Sequence, residues 1–271
     1  EKTSTDEVEE PASAVTEYTP APGQFINSTD AGFGDRTITT PEEAVAYAEE
    51  RLSRGLYVSL GGWGGYIVTE FDEPVANTGG YDLYVTGNAF DGSSEPGVVW
   101  VAVRGNGAPG TWYRLRGSED DNDETLYDYE ATYAPSDEEG IAAEWHDNGD
   151  GKGTIDRIGV HSQASYVPAW VPSLTYRGVR LPDNVTFDEA ANKYIMTAFG
   201  WGYADNWSAT DRTGAKNRFR IADAVDADGQ PADLPQIDYV KVQTGINAKA
   251  GNGVGEISTE VCGIGCYRTV T

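Results

Sequence analysis

Histidine and cysteine are scarce in this chain of 271 residues: there are two of each, His146 and His161, Cys262 and Cys266. Two imidazoles are too few for a typical zinc site, and they leave little for general-base chemistry. The chain has no Gly-x-Ser-x-Gly elbow, no His-Glu-x-x-His pair and no phosphate-binding Gly-rich loop. Cations are also few: 19 Lys and Arg stand against 44 Asp and Glu, for a formal charge of −25. A nucleic-acid partner is excluded by sign, since phosphate neutralisation drives such binding. Direct adhesion to an anionic membrane is disfavoured for the same reason. No apolar run approaches the ~18 residues that cross a bilayer. Glu1 in place of an initiator Met reads as the start of a mature or trimmed chain, so a missing leader says nothing about compartment.

What is present is apolar content of 39% and aromatic content of 11%, enough for a sizeable core. Residues 1–17 are mostly Glu, Thr, Ser and Pro, a composition expected of a flexible acidic tether. The folded body then covers 18–271, with a division into two subdomains near 182 left open. Thr40, Pro41 and Glu43 form a capping box that opens a helix over Pro41–Arg54, stopped by Gly55. Beyond it come short runs rich in Val, Tyr and Trp, separated by Asn, Gly and Pro turns: 56–60, 66–71, 81–86, 98–104, 111–116, 127–133, 141–145, 173–180, 194–199, 217–221 and 237–243. Within one of them Phe219 and Ile221 point one way and Arg218 and Arg220 the other, the period of a strand with one wet face. The expected fold is all-β, a jelly-roll-like β-sandwich with one helix on its N-terminal side.

Several segments resemble a family of surface lipoproteins of gut bacteria. They are Val15–Asn27, Leu60–Val68, Tyr81–Phe90, Ser94–Gly97, Arg180–Asn184, Trp201–Asn206, Ile237–Val242 and Gly255–Glu260, which together span nearly the whole body. The resemblance implies a lipid-anchored protein at the outer-membrane surface that captures vitamin B12 or another cobamide beside an outer-membrane transporter. It brings with it no binding motif that can be placed residue by residue.

The residues themselves offer candidates. Trp201, Tyr203, Asp205, Asn206 and Trp207 interleave rings with polar groups just after an apolar strand, a mixture suited to a flat ligand with amides on its rim or to a sugar ring. Pro168 and Pro172 keep Trp170 and its neighbour Tyr166 out of a central strand, so these two join the expected ligand-binding set. Each of these aromatics reads equally as a loop residue folded onto the core. Trp63, set among four glycines, reads as packing. Asp226, Asp228 and Asp233 around a Gly turn suit calcium, as does the turn at Asp147–Gly151 more weakly; both are also ordinary turn formers. Glu144, His146 and Gly149 have the spacing of a cobalt-ligating motif but lack its Asp and its α/β setting. Cys262 and Cys266 suggest a small disulfide, with free thiols or a soft-metal pair as alternatives. No catalytic residue stands out. Ligand capture without chemistry is the expected role, and an adhesin or a glycan-binding module is the alternative.

Overall fold

In the computed structural model, which describes residues 6–34 and 36–270, the chain is an all-β sandwich with one α-helix. The helix, Pro41–Ser53, starts where the capping box places it: Thr40 Oγ1 accepts from Glu43 N at 3.2 Å and the Glu43 carboxylate accepts from Thr40 N at 3.3 Å. Gly55 then takes φ +66°, which ends the helix. Replacing Thr40 with alanine removes one side of this reciprocal pair. It is expected to cost about 1 kcal/mol, read as a lowered urea midpoint with an unchanged slope.

A seven-stranded antiparallel sheet forms the centre. Its order is Ala224–Val225, Ala108–Leu115, Gly97–Gly105, Gln236–Thr244, Tyr66–Ala76 and Ala14–Thr19, with Tyr203–Ala204 also paired to the Gly97 strand. The period of two divides it cleanly. Ile67, Phe71, Val99, Val101, Leu115, Val240 and Val242 face the main core. That core is closed by the helix residues Ala44, Tyr47 and Ala48, and by a five-stranded sheet contributing Leu83, Val85, Phe219 and Ile264. Tyr66, Val68, Trp100, Trp112 and Tyr239 come from the opposite face, where smaller clusters form. A four-stranded sheet, ordered Lys152–Asp156, Ile141–Asp147, Leu126–Pro135 and Thr175–Arg180, builds its own core around Trp63, Tyr133 and Tyr176.

Trp63 is 1% exposed, and its indole N–H donates to Val179 O at 3.2 Å. Its glycine neighbours are required. A Cβ on Gly61 (φ +71°) would sit 2.0 Å from Ala21 O, and one on Gly65 would sit 1.8 Å from Leu60 O.

Two expectations are corrected here, and the division left open near 182 is not found. Residues 6–17 are not a flexible tether: Asp6–Pro11 pairs antiparallel with Gly263–Val270, and Ala14–Thr19 edges the central sheet. Composition measures only what a segment can bury for itself, whereas these residues borrow a neighbour's ladder. Arg268 Nε and Nη2 donate to the Glu10 carboxylate at 2.8 and 3.0 Å, and Lys216 pairs with Glu9. Residues 1–5 lie outside the described residues. The body does not divide near 182, because strands on both sides of that point share the seven-stranded sheet. Cys262 and Cys266 are free thiols. Cys266 lies in an extended strand and Cys262 just before it, and four residues of extended chain span roughly 13 Å, about twice the Cα separation that a disulfide tolerates. Burial pushes both thiols up to about 11, so they are poor nucleophiles.

Candidate functional site: a split groove at Arg116

The aromatic loop after residue 199 is held by its own polar groups. Asn206 Oδ1 accepts from Phe199 N at 2.9 Å, and its Nδ2 donates back to Phe199 O at 3.0 Å. Asp205, in a left-handed conformation at φ 52°, accepts from Asn88 N, Ala89 N and Glu260 N, each at 2.9 Å. Both side chains are buried, and these bonds close the loop. Tyr203 is 1% exposed, packs edge-on against Phe199, and accepts from Glu119 N through its hydroxyl.

Tyr166 and Trp170 are interior too. Tyr166 lies in the core of the four-stranded layer, its hydroxyl donating to His161 O at 2.9 Å and accepting from Ile158 N at 3.0 Å. Trp170 lies in the main core against Tyr18 and Phe33, with Nε1 donating to Tyr18 O at 2.9 Å. Tyr166, Trp170, Tyr203, Asp205 and Asn206 are therefore interior residues, outside both concavities described below. Along a chain, a polar group that ties a loop to its own backbone is indistinguishable from one that waits for a ligand. Trp207 is half-buried, with the Arg212 guanidinium 3.5 Å from its ring centre.

Trp201 is different. It lines a cavity of about 200 Å³ with Tyr81, Arg116, Arg218, Arg220 and Asp223. The wet face of the 216–219 strand and the residue after it supply the arginines: Arg218 and Arg220 stack on Tyr81 with guanidinium carbons 4.2 and 4.9 Å from the ring centre. Asp211, which also borders the cavity, is spent on Gly202 N at 2.7 Å and on the Ser208 hydroxyl. Asp223 is pushed up by burial, against the pull of Arg220 and Arg116. In a chain so acidic, three guanidiniums in one hollow make a local site for a negative or strongly polar group.

Arg116 also borders a second, larger concavity of about 520 Å³, lined by Trp100, Trp112, Asp120, Tyr127, Val179 and the turn Asp226–Gly229 among others. Trp100 and Trp112 stand on the outer face of the central sheet. Between them lies the Lys241 ammonium, 4.8 and 4.7 Å from their ring centres, and burial pushes that amine down to about 8. The floor is the Arg114–Asp120 pair, bidentate at 2.6 and 3.0 Å and almost wholly buried. The two concavities share Arg116, and the larger falls within the size range of ligand sites. Sequence reasoning found Trp201 and missed Trp100, Trp112 and Tyr127. The signal was there: an indole at 100 alternates with Val99 and Val101, and so belongs to the wet face.

The acidic turns are closed by their own aspartates. Asp226 Oδ1 accepts from Asp228 N and Gln230 N at 3.0 and 2.8 Å, closing its own turn, and Asp147 Oδ1 does the same for Gly149 N and Gly151 N. Among the described residues the carboxylates that gather are Glu95, Asp205 and Glu260, not Asp226, Asp228 and Asp233. The chain matches no protein-family model and no curated protein.

Proposed function

We propose that this protein captures a ligand at a cell surface without transforming it, and that the ligand is a cobamide such as vitamin B12. The observation that supports this is the split groove: flat rings at Trp201, Trp100, Trp112 and Tyr127, and cationic forks at Arg116, Arg218 and Arg220, around two concavities that share Arg116. A cobamide presents a broad macrocycle fringed with amides and one phosphodiester. Rings supply contact area to the first, carboxylates and carbonyls accept from the second, and guanidiniums pair with the third. Neither concavity is deep enough to enclose such a molecule, so it would be held across the surface with much of it open, ready to be passed to a transporter. The lipid anchor and the neighbouring outer-membrane transporter belong to the same proposal and rest on the resemblance. No described helix is long and apolar enough to cross a membrane.

The test is a titration with cyanocobalamin followed by gel filtration, where a pink protein peak is expected. Trp201→Ala and Arg116→Ala should each weaken capture by about tenfold or more, the loss typical of a central anchor. Val160→Ala, at a site 80% exposed and outside both concavities, should leave it unchanged. A colourless protein peak with millimolar ligand would overturn the cobamide reading. A glycan-array signal lost in Trp112→Ala would replace it with a sugar-binding one, which the carboxylates Asp120, Asp121, Asp128 and Asp226 around the same rings favour.

A further inference from the structure

Where the 199–211 loop is sewn to the rest of the sandwich, three acids meet inside the protein. Glu95, Asp205 and Glu260 each place a carboxylate oxygen within 4.8 Å of the other two. Asp205 and Glu260 are 1% and 3% exposed. None of the three takes part in an ion pair among the described residues, so no ammonium or guanidinium balances them. Clustering alone means little. A second observation points to a guest: Glu260 Oε1 is buried and has no hydrogen-bond partner. A buried acceptor left unmatched is rare and costly, and a charged one more so.

Backbone donors hold two of the three carboxylates. Asp205 Oδ1 accepts from Asn88 N and Ala89 N, and its Oδ2 accepts from Glu260 N. Glu95 Oε1 accepts from Ser258 N at 3.1 Å, and the Glu95 carbonyl accepts from Thr259 Oγ1 at 2.8 Å. Each carboxylate oxygen has two lone pairs, so Asp205 Oδ1 is filled by these bonds, whereas Asp205 Oδ2 and Glu95 Oε1 each keep capacity and Glu260 Oε1 has no partner at all. Oxygens spaced by 4.8 Å or less fit around a cation bonded at about 2.4 Å to each, the distance that calcium prefers. The donors are all hard oxygens. Cys262, nearby in sequence, is a soft donor with its thiol held protonated by burial, and does not suit the same ion.

We propose that Glu95, Asp205 and Glu260 form an internal site for one calcium-sized divalent cation. The ion would tie together three stretches distant in sequence: the 88–95 turn, the loop that carries Trp201, and the 258–260 segment. It would satisfy Glu260 Oε1 and offset the like-charge repulsion of the three acids. Because Trp201 precedes Asp205 by four residues, the ion would also brace one wall of the groove. The site itself does not depend on what the groove binds.

The test uses calcium alone on chelator-stripped full-length protein. Calorimetric titration should show one ion per chain, and excess calcium should raise the melting temperature by about 5 °C at a hundredfold excess over Kd. Glu260→Gln, which keeps the shape and the backbone hydrogen bonds, should abolish both effects while its circular dichroism stays native. Asp226→Asn, on the outer turn, should retain both. Identical melting curves for stripped wild type with and without millimolar calcium, together with no calorimetric signal, would overturn the proposal. Those acids would then hold shared protons in place of an ion. Failure here leaves cyanocobalamin capture untouched, and the reverse is also true, so the two readings fall separately.

Discussion

Trp170→Ala is expected to lower folding stability by roughly 3–5 kcal/mol, which a shift in the urea midpoint at constant slope would report. The indole is 4% exposed in the main core and packs on Tyr18 and Phe33, with ring centres 5.8 and 6.1 Å away. Truncation therefore opens a cavity between the helix layer and the central sheet. It also leaves Tyr18 O without the N–H that donates to it at 2.9 Å, which adds the cost of an unmatched buried carbonyl. Trp170→Phe keeps most of the volume and should lose about half as much. Ligand capture by the fraction of Trp170→Ala that stays folded should be unchanged. The opposite pattern, native stability with capture lost, would return Trp170 to the groove and sink the packing account.

Asp120→Ala should be nearly as damaging, by about 3–5 kcal/mol, for an electrostatic reason. Asp120 receives both terminal nitrogens of Arg114, at 2.6 and 3.0 Å, and Gly117 N at 3.2 Å, with both side chains of the ion pair under 10% exposed. Removing the carboxylate strands a guanidinium beneath the groove, with only the Tyr127 ring, 5.1 Å away, and the Leu115 carbonyl left to it. The double variant Arg114→Leu/Asp120→Ala should recover much of the loss, since an apolar pair needs no counter-charge. A single variant as stable as wild type would show that water reaches Arg114 in solution. The groove floor would then be hydrated.

The helix and most strands were legible because their signals are local. Thr40 and Glu43 act over a single turn, and Arg218, Phe219, Arg220 and Ile221 alternate within one short segment and the turn that follows. What pairs with what was not legible. Asp6–Pro11 has an acidic, apolar-poor sequence and becomes a strand only because Gly263–Val270 lies beside it, more than 250 residues along the chain. Register shifts at Ile237/Tyr239 and Ala102/Arg104 likewise follow from neighbours and from the twist of the sheet, not from a residue type. The candidate site was half legible. Trp201 was legible with the loop that carries it, while the internal bonding of Asp205 and Asn206 was not, because their partners, Asn88, Ala89, Glu260 and Phe199, are mostly remote in sequence. The buried acids were invisible for the same reason: Glu95, Asp205 and Glu260 share no motif, and only folding brings them together.

The cross-strand partnership of Asp6 with Val270 places the two ends of the described chain side by side. A circularly permuted gene that fuses those ends through a few glycines, and reopens the backbone at the exposed Asp137–Gly140 turn, should therefore fold to the same sandwich. The same adjacency sets how the molecule resists traction. Tension applied between the two ends would peel apart a single terminal ribbon, one rung at a time, before any of it reached the aromatic groove.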